Sequence, residues 1–468
     1  MIGGERRRVV VVGGGISGLS AAWFLHARGH DVRLVEASER VGGVVSTNLR
    51  NDFMVERGPN TTLQKPGRPE DALGRLMAET GLSNRVVEAA PAGKRRFILR
   101  DGRVLALPGS PLAFVTSPAF GWAAKLRLLK EPFIARAQHE ETIAQFVERR
   151  LGREFLDYAV DPFISGVYAG DTGALSVRAA VPRIYELEQQ YGSLIRGAVA
   201  LGKAAKSAGM PAGRQISFGG GMSGLVTGIA EKLPRGSIRT GLRAQAIERI
   251  ENQWHVHLDG DGGKSTETGD ALVLALPADE TARLITPLSA EAARIVGEIP
   301  YVSISSVGLG YAREQVGHSL DGFGFLAPRV EGMRTLGVLF SSSLFAERAP
   351  RGHVLLTAFI GGAHDAPAAE LPTDMIFDLV EADLARTLKI DGAPTYRRIS
   401  RYARAIPQYT LGHLDRIGEL DQRLDPFTGL HLRGNWRDGI SVADCVRAGE
   451  ELAKRICDLT GAFGRKLL

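Results

Sequence analysis

The first forty residues alternate apolar runs and glycines in an order that predicts strand, turn, helix and strand. Val9–Val12 is an unbroken apolar run behind Arg8, Gly13–Gly18 interrupts it, Leu19–Gly29 has helical spacing, and Asp31–Glu36 carries Val32 and Leu34 at alternating positions. Gly29 stops the helix, and the two strands are expected to lie parallel in one sheet, as the opening of a βαβ unit. From about residue 81 to 107 the pattern shortens to strands at Arg96–Leu99 and Val104–Leu107 around the turn Asp101-Gly102. From Pro111 to about Arg196 it becomes helical, and Pro111, Pro118, Pro132, Pro162 and Pro182 divide it into short helices. Strand patterns return at Gln245–Glu251, Trp254–Leu258 and Ala271–Leu276, the last apolar enough to be buried on both faces. A mixed region runs from about Pro277 to Arg401, and Gly429–Gly434 followed by Ala443–Leu459 predicts strand, loop and terminal helix. No internal repeat is present, which excludes a solenoid or propeller.

A chain of 468 residues exceeds one ordinary core, so two or three domains are expected; 44% hydrophobic and 24% charged residues describe a folded globular protein. Its two cysteines, Cys445 and Cys457, make neither a disulfide framework nor a metal site, and suit a reducing compartment. The basic start is followed by too short an apolar run for a signal peptide, and no window approaches the roughly 20 apolar residues of a spanning helix. The expected location is the cytoplasm, with contact at the inner face of the cell membrane left open. A net charge of +6 suits an acidic substrate or an anionic membrane surface, but the basic residues are dispersed and no nucleic-acid motif accompanies them, so nucleic acid is not expected as a partner. Leu112–Leu129 sets Phe114, Val115, Phe120, Trp122, Leu126, Leu128 and Leu129 beside Lys125, Arg127 and nearby Lys130. That pattern fits an interfacial helix or an ordinary core-facing helix pair equally well.

Candidate chemistry begins at the first turn. Gly13, Gly15 and Gly18 have the spacing of a dinucleotide fingerprint: a tight turn, close backbone approach to a pyrophosphate, and close packing of helix on strand. Ile16 and Ser17 then open a helix whose free amides and dipole favour phosphate. Glu36 ends the second strand 18 positions beyond Gly18, close to the ~20 at which a carboxylate meets ribose hydroxyls. A carboxylate there argues against the 2′-phosphate of NADP, and both NAD and FAD satisfy the pattern so far.

Glu36-Ala37-Ser38-Glu39-Arg40-Val41-Gly42-Gly43 resembles the second diphosphate-contacting element of FAD enzymes in the amine-oxidase superfamily, which tips the reading to FAD. Glu56-Arg57-Gly58-Pro59-Asn60-Thr61 resembles that superfamily's turn near the ribityl chain and flavin, with Gly58-Pro59 enforcing the bend. The run from Gly434 through Ile440, Ser441 and Val442 resembles its C-terminal FAD element, whose amides approach the pyrimidine side of the isoalloxazine. Ala244 joins the cofactor-binding set by the same resemblance. The superfamily's amine oxidases carry a lysine near flavin N5, expected around Tyr301–Tyr311, and no lysine occurs there.

Two further segments, Phe163–Asp171 and Ala405–His413, together with Asp444-Cys445-Val446, resemble signatures of the protoporphyrinogen oxidase family, so that the resemblance runs nearly from end to end. It implies an α/β fold, α+β overall. A Rossmann-like FAD domain of the amine-oxidase type would come from 1–75, 215–275 and 405–468, a mixed-sheet substrate domain from 76–107 and 276–404, and a helical, potentially membrane-contacting domain from 108–214. It implies oxidation of a porphyrinogen by FAD with O2 as acceptor, hydride leaving a meso carbon in each of three rounds, and no side-chain acid or base. By the same resemblance Arg96 meets a propionate, for which a planar guanidinium is well shaped, Phe323 and Leu326 sandwich the macrocycle, and Ala169-Gly170 presents backbone to it. Related coproporphyrinogen III oxidases generally lack an arginine at that position, which favours protoporphyrinogen IX and leaves coproporphyrinogen III as the alternative. His413 is given a structural role. Contact with a membrane, pairing into a homodimer and hand-over of product to a chelatase are the partner relations it leaves open.

Overall fold

The computed structural model describes residues 6–207 and 211–463. A run of four valines cannot leave either face wet, and Val9–Val12 accordingly lies at the centre of a five-stranded parallel sheet. The strand order is Ile238–Arg239, Asp31–Val35, Arg8–Val12, Ala271–Leu274 and Leu430–Leu432. Val9 and Val11 point into one hydrophobic core, with helices Ile16–Ala27, Ala72–Thr80, Ser223–Lys232 and Val442–Phe463. Val10 and Val12 point into another, beneath the antiparallel strands Leu242–Ile250, Gln253–Gly260 and Ser265–Gly269 and helices Ala278–Ile285, Ala290–Gly297 and His413–Leu424. Burial of each valine contributes about 1.5 kcal/mol or more.

A second sheet has seven strands in the order Tyr396–Pro407, Tyr301–Ala312, His353–Gly361, Thr335–Leu339, Gly324–Leu326, Phe97–Arg100 and Arg103–Ala106. Only Gly324–Leu326 and Phe97–Arg100 run parallel. Helix Thr373–Leu388 covers one face, meeting Val338, Phe325, Ala358 and Ile360. The strand hairpin Thr47–Arg50 and Phe53–Glu56 meets the opposite face, where Phe53 and Val55 pack with Leu355 and Tyr396.

Between residues 111 and 207 the chain forms short helices around Phe120, Phe146, Phe155, Ile164 and Leu175. The fully buried Arg150 fixes them: Nε donates to Glu188 at 2.6 Å and Nη1 to Glu131 at 3.2 Å, while Glu131 also accepts from Leu194 N at 2.8 Å.

Element boundaries shift where polar sequence hides regular structure. The first helix begins at Ile16 rather than Leu19, helix Leu194–Ser207 runs past Arg196, and the polar strand Ser265–Gly269 had no apolar pattern to announce it. Leu112–Leu129 is a pair of short helices, Pro111–Thr116 and Trp122–Arg127, followed by a 3-10 turn over Leu128–Phe133. Ala124 and Phe120 are buried, while Leu112, Trp122, Leu126, Leu129 and Phe133 are exposed. Among the described residues, no helix is long and apolar enough to cross a membrane.

Candidate active site

The glycine fingerprint makes a cradle whose three glycines differ in what surrounds them. A Cβ on Gly13, where φ is +105°, would lie 2.3 Å from the Ala275 carbonyl oxygen, and one on Gly18 would lie 1.9 Å from that of Gly13. A Cβ on Gly15 would meet nothing within 4 Å. The first and third thus let strand and helix close together, and the second leaves room in front of the helix N-terminus, which fits a dinucleotide's diphosphate. Gly42 N donates to Gly14 O at 2.7 Å, bringing the second glycine pair, Gly42 and Gly43, against this turn. Glu36 accepts from Gly14 N at 2.6 Å and Ser38 N at 2.8 Å, so its carboxylate stands at the end of the cradle; Ala37 beside it is exposed. Arg40 donates to the carbonyls of Val41 (3.1 Å) and Gly43 (2.8 Å), bracing the loop. Ala244 is buried in strand Leu242–Ile250, whose first residue donates to Glu36 O at 2.9 Å, and its carbonyl accepts from Arg283 at 2.6 Å.

A second helix N-terminus closes on the first. Ser20 Oγ donates to Cys445 O at 3.4 Å, and the Cys445 thiol lies against Ser17 and donates to Gly439 O at 3.7 Å. Burial pushes that thiol up to about 12, so it stays protonated. Ile440–Val442 therefore enters the terminal helix beside Gly15–Ser17, and two positive helix ends share one space. The approach to them is rigid: Asp438 accepts from Arg433 at 2.7 Å and from Gly434 N at 2.9 Å, and buried Trp436 donates to Leu276 O at 3.0 Å. On the other side Gly58 packs on Val44 O, Asn60 donates to Gly58 O at 3.4 Å, Thr61 donates to Gln215 at 2.7 Å, and Pro59 between them is half-buried.

Strand alternation builds an apolar wall next to this space. On the seven-stranded sheet's face away from helix Thr373–Leu388, Leu326, Leu339 and Phe359 are each only partly buried. Helix Asp161–Tyr168 packs against the wall, so close that a Cβ on Gly166 would come within 2.6 Å of Leu326 Cδ2. Phe163 and Val167, on the same helical face, are 50% and 41% exposed. Ala169 follows with φ +47°, and its carbonyl accepts from Ala363 N at 2.8 Å. A Cβ on Gly170 would lie 2.5 Å from Gln408 Oε1.

Arg96 stands just before strand Phe97–Arg100, its guanidinium 4.4 Å from the centre of the Phe323 ring. Desolvation holds its pKa below the ordinary arginine value, and among the described residues no carboxylate lies within salt-bridge distance of it. Its neighbour Arg95, by contrast, pairs with Asp321. The site thus brings a lone, stacked cation to the chamber strands, while Leu326 reaches the helix wall.

Sequence reasoning passed over several members of this arrangement. Leu339 and Phe359 lie in no motif, and Phe163 and Val167, inside the Phe163–Asp171 segment, were given no role of their own; only cross-strand register and the Gly166 contact bring them together. The buried carboxylate of Glu56 accepts from Thr47 Oγ1 (2.7 Å) and Met222 N (2.8 Å) and pairs with Arg348, which donates to Ser217 Oγ at 2.7 Å. Burial raises its pKa. The sequence placed Glu56 at the head of the Glu56–Thr61 turn but showed no partner for its carboxylate; the strand–glycine–helix signal in Gly219-Gly220-Gly221-Met222 was available to find one.

A dinucleotide cradle, a second helix end converging on it and an apolar chamber floored by a mixed sheet define a flavin-dependent oxidoreductase. The chain belongs to the flavin containing amine oxidoreductase family, whose model matches residues 16–457, and its cofactor is FAD. It is 30% identical to protoporphyrinogen oxidase 2, chloroplastic/mitochondrial, of Arabidopsis thaliana, across 95% of this chain and 92% of that one. It is 31% identical to coproporphyrinogen III oxidase of Propionibacterium freudenreichii subsp. freudenreichii, across 96% and 90%. A crystal structure from Exiguobacterium sp. 255-15, provisionally described as a protoporphyrinogen oxidase, superposes with a TM-score of 0.80 at 25% identity over 97% of this chain and 99% of that one.

Proposed function

We propose that this chain oxidises protoporphyrinogen IX to protoporphyrin IX, passing six electrons in three rounds to O2, which leaves as hydrogen peroxide. Bound FAD supplies the hydride-accepting chemistry. Gly13, Gly15, Ile16, Ser17 and Gly18 with Gly42 and Gly43 hold its diphosphate, Glu36 and Ala244 its adenosine end, Gly58–Thr61 its middle, and Gly434 with Ile440–Val442 its flavin. The polypeptide orients the macrocycle against Leu326, Leu339 and Phe359, keeps water from it, and offers the Ala169-Gly170 backbone at its edge.

The observation that carries the substrate assignment is Arg96: a guanidinium stacked on Phe323 beside an apolar wall, with no carboxylate among the described residues within salt-bridge distance. One propionate answers it with a bidentate pair. Coproporphyrinogen III, the substrate named for some relatives, carries propionates where protoporphyrinogen has vinyl groups. It would set extra charge against leucine and phenylalanine, at a cost of several kcal/mol per unpaired carboxylate. Side-by-side assay of the two porphyrinogens tests this. A kcat/KM at least tenfold higher for protoporphyrinogen IX supports the assignment, and the reverse preference assigns the chain to coproporphyrinogen oxidation.

The exposed face of Leu112 (77%), Trp122 (67%), Leu126 (61%), Leu129 (70%) and Phe133 (83%), interspersed with Lys125, Arg127 and Lys130, supports a second proposal. This face rests on an anionic membrane surface, from which an apolar macrocycle is collected. Sedimentation with vesicles containing about a third anionic lipid tests it: the chain pellets, and a Trp122→Ser, Leu126→Ser, Phe133→Ser variant stays in solution. Equal pelleting of both contradicts it.

A further inference from the structure

Gln408 and Tyr409 lie at the junction of the cofactor space and the substrate chamber, and both are buried. The Tyr409 hydroxyl accepts the Gly439 N–H at 3.0 Å and donates to the Asn435 carbonyl. One phenol therefore closes the turn that leads from Gly434 into Ile440–Val442. Its ring stacks on His413 with centroids 4.2 Å apart and meets Tyr168 edge-on at 5.9 Å. Its carbonyl accepts from Ser176 N at 2.8 Å. Gln408 donates to the Tyr168 carbonyl at 3.0 Å, one residue before the left-handed Ala169. No other side chain hydroxyl among the described residues bonds to both ends of the Asn435–Gly439 turn.

We propose that Tyr409 is a positioning residue for the flavin: it clamps the Asn435–Gly439 turn so that the amides of Ile440–Val442 are held toward the ring position where negative charge accumulates on reduction. The proposal rests on the assignment of Ile440–Val442 to the flavin. The first amides of a helix have no intrahelical partner and carry the positive end of its dipole, so they favour an anion in front of them. Dipoles fixed in advance stabilise developing charge more than dipoles that must reorient. Without the phenol oxygen, Gly439 N–H and Asn435 C=O lose their shared partner, and the Asp438 bonds to Gly434 and Arg433 hold only the near end of the turn. The same ring braces Tyr168 and hence the Ala169-Gly170 edge, so chamber and flavin loop share one support.

The experiment measures the two-electron midpoint potential of the holoenzyme by dye equilibration in wild type, Tyr409→Phe, Tyr168→Phe and Val442→Pro. Tyr409→Phe deletes one oxygen and keeps the stacked ring. The expected result is about a tenfold loss in the preference for reduced over oxidised flavin, a fall of about 30 mV for a two-electron couple, with kcat reduced and the porphyrinogen KM within about twofold of wild type. Tyr168→Phe is the packing control. Its hydroxyl donates to Ala180 O at 2.9 Å in the same buried patch without reaching the turn, so it lowers the melting temperature comparably and leaves the potential unchanged. Val442→Pro removes one amide at the first helical position, where proline fits, and reports whether this loop faces the flavin at all. A shift in Val442→Pro with none in Tyr409→Phe overturns the proposal and keeps the flavin assignment. No shift in either overturns both, and equal shifts in the two tyrosine variants reduce Tyr409 to packing, which also overturns the proposal. If Tyr409→Phe is isolated without flavin, titration of the apoprotein decides: FAD must bind at least tenfold more weakly than to Tyr168→Phe, and equal affinity contradicts the clamp.

Discussion

Replacing Arg96 by alanine removes a cation that is stacked on Phe323 and, among the described residues, has no carboxylate within salt-bridge distance. A hydrogen bond to a charged group is worth about 1.5–3 kcal/mol. Arg96 is packed enough to be partly desolvated yet keeps surface open to solvent, so screening places the loss at the lower end, about 1.5–2 kcal/mol. That corresponds to a rise in KM of roughly 10–30-fold. Because the propionate lies remote from the carbon that is oxidised, kcat stays within about twofold. Lysine keeps the charge and loses the planar fork, so Arg96→Lys falls between, at roughly fivefold. The assay follows porphyrin fluorescence in air with the free-acid porphyrinogen and with its dimethyl ester. Wild type prefers the free acid by the same factor that alanine costs, and Arg96→Ala no longer distinguishes the two. A large loss of kcat at unchanged KM, or a variant that still prefers the free acid by the full factor, refutes the role given to Arg96.

His413 is buried against Tyr409, and burial lowers its pKa to about 4. The unfolded chain takes up a proton near pH 6.5 that the folded chain refuses, so this histidine's contribution is intact above 6.5 and is lost as pH falls toward 4. About 2 kcal/mol is gone by pH 5; His431, which desolvation lowers to about 3, adds to the same acid loss, so His413→Phe should reduce the difference between denaturant midpoints at pH 8 and 5 by about that share, an unchanged difference counting against the burial argument. Glu131→Ala leaves the buried Arg150 guanidinium short of a partner and uncaps Leu194. It should destabilise the helical region by about 3 kcal/mol or more, visible as faster proteolysis between residues 111 and 207, and wild-type resistance would contradict it. Gly18→Ala forces a methyl to 1.9 Å from Gly13 O and should abolish FAD retention on gel filtration, whereas a fully loaded variant would show that the cradle is not where the diphosphate binds.

The nucleotide half of the fold was legible because its signals are local. Val9–Val12, the spaced glycines and Glu36 lie within thirty residues, and each dictates its own geometry. The seven-stranded sheet was harder to read. One of its longest strands, Tyr301–Ala312, carries Ser303, Ser305, Ser306, Gly308 and Gly310 at buried positions. Ser303 and Ser305 are tolerated because partners are supplied from afar, donating to Ala366 O at 3.2 Å and Ala369 O at 2.8 Å, and the glycines because Phe53 and Val55 press on them. Neither cause shows in hydrophobic alternation. The chamber wall was hidden for a related reason: Leu326, Leu339 and Phe359 meet only through strand register. Arg96 was named from resemblance alone, and its stacking on Phe323, with no ion-pair partner among the described residues, is a property only the folded chain has.

The central claim is that this FAD site accepts electrons from a porphyrinogen, and an anaerobic titration tests it most directly. Protoporphyrinogen IX is added to the holoenzyme while flavin absorbance and porphyrin fluorescence are followed together. The account predicts flavin bleaching with one porphyrin formed for every three flavins reduced, reversed by air with release of peroxide. Bound FAD that stays oxidised while porphyrinogen is in excess would contradict it.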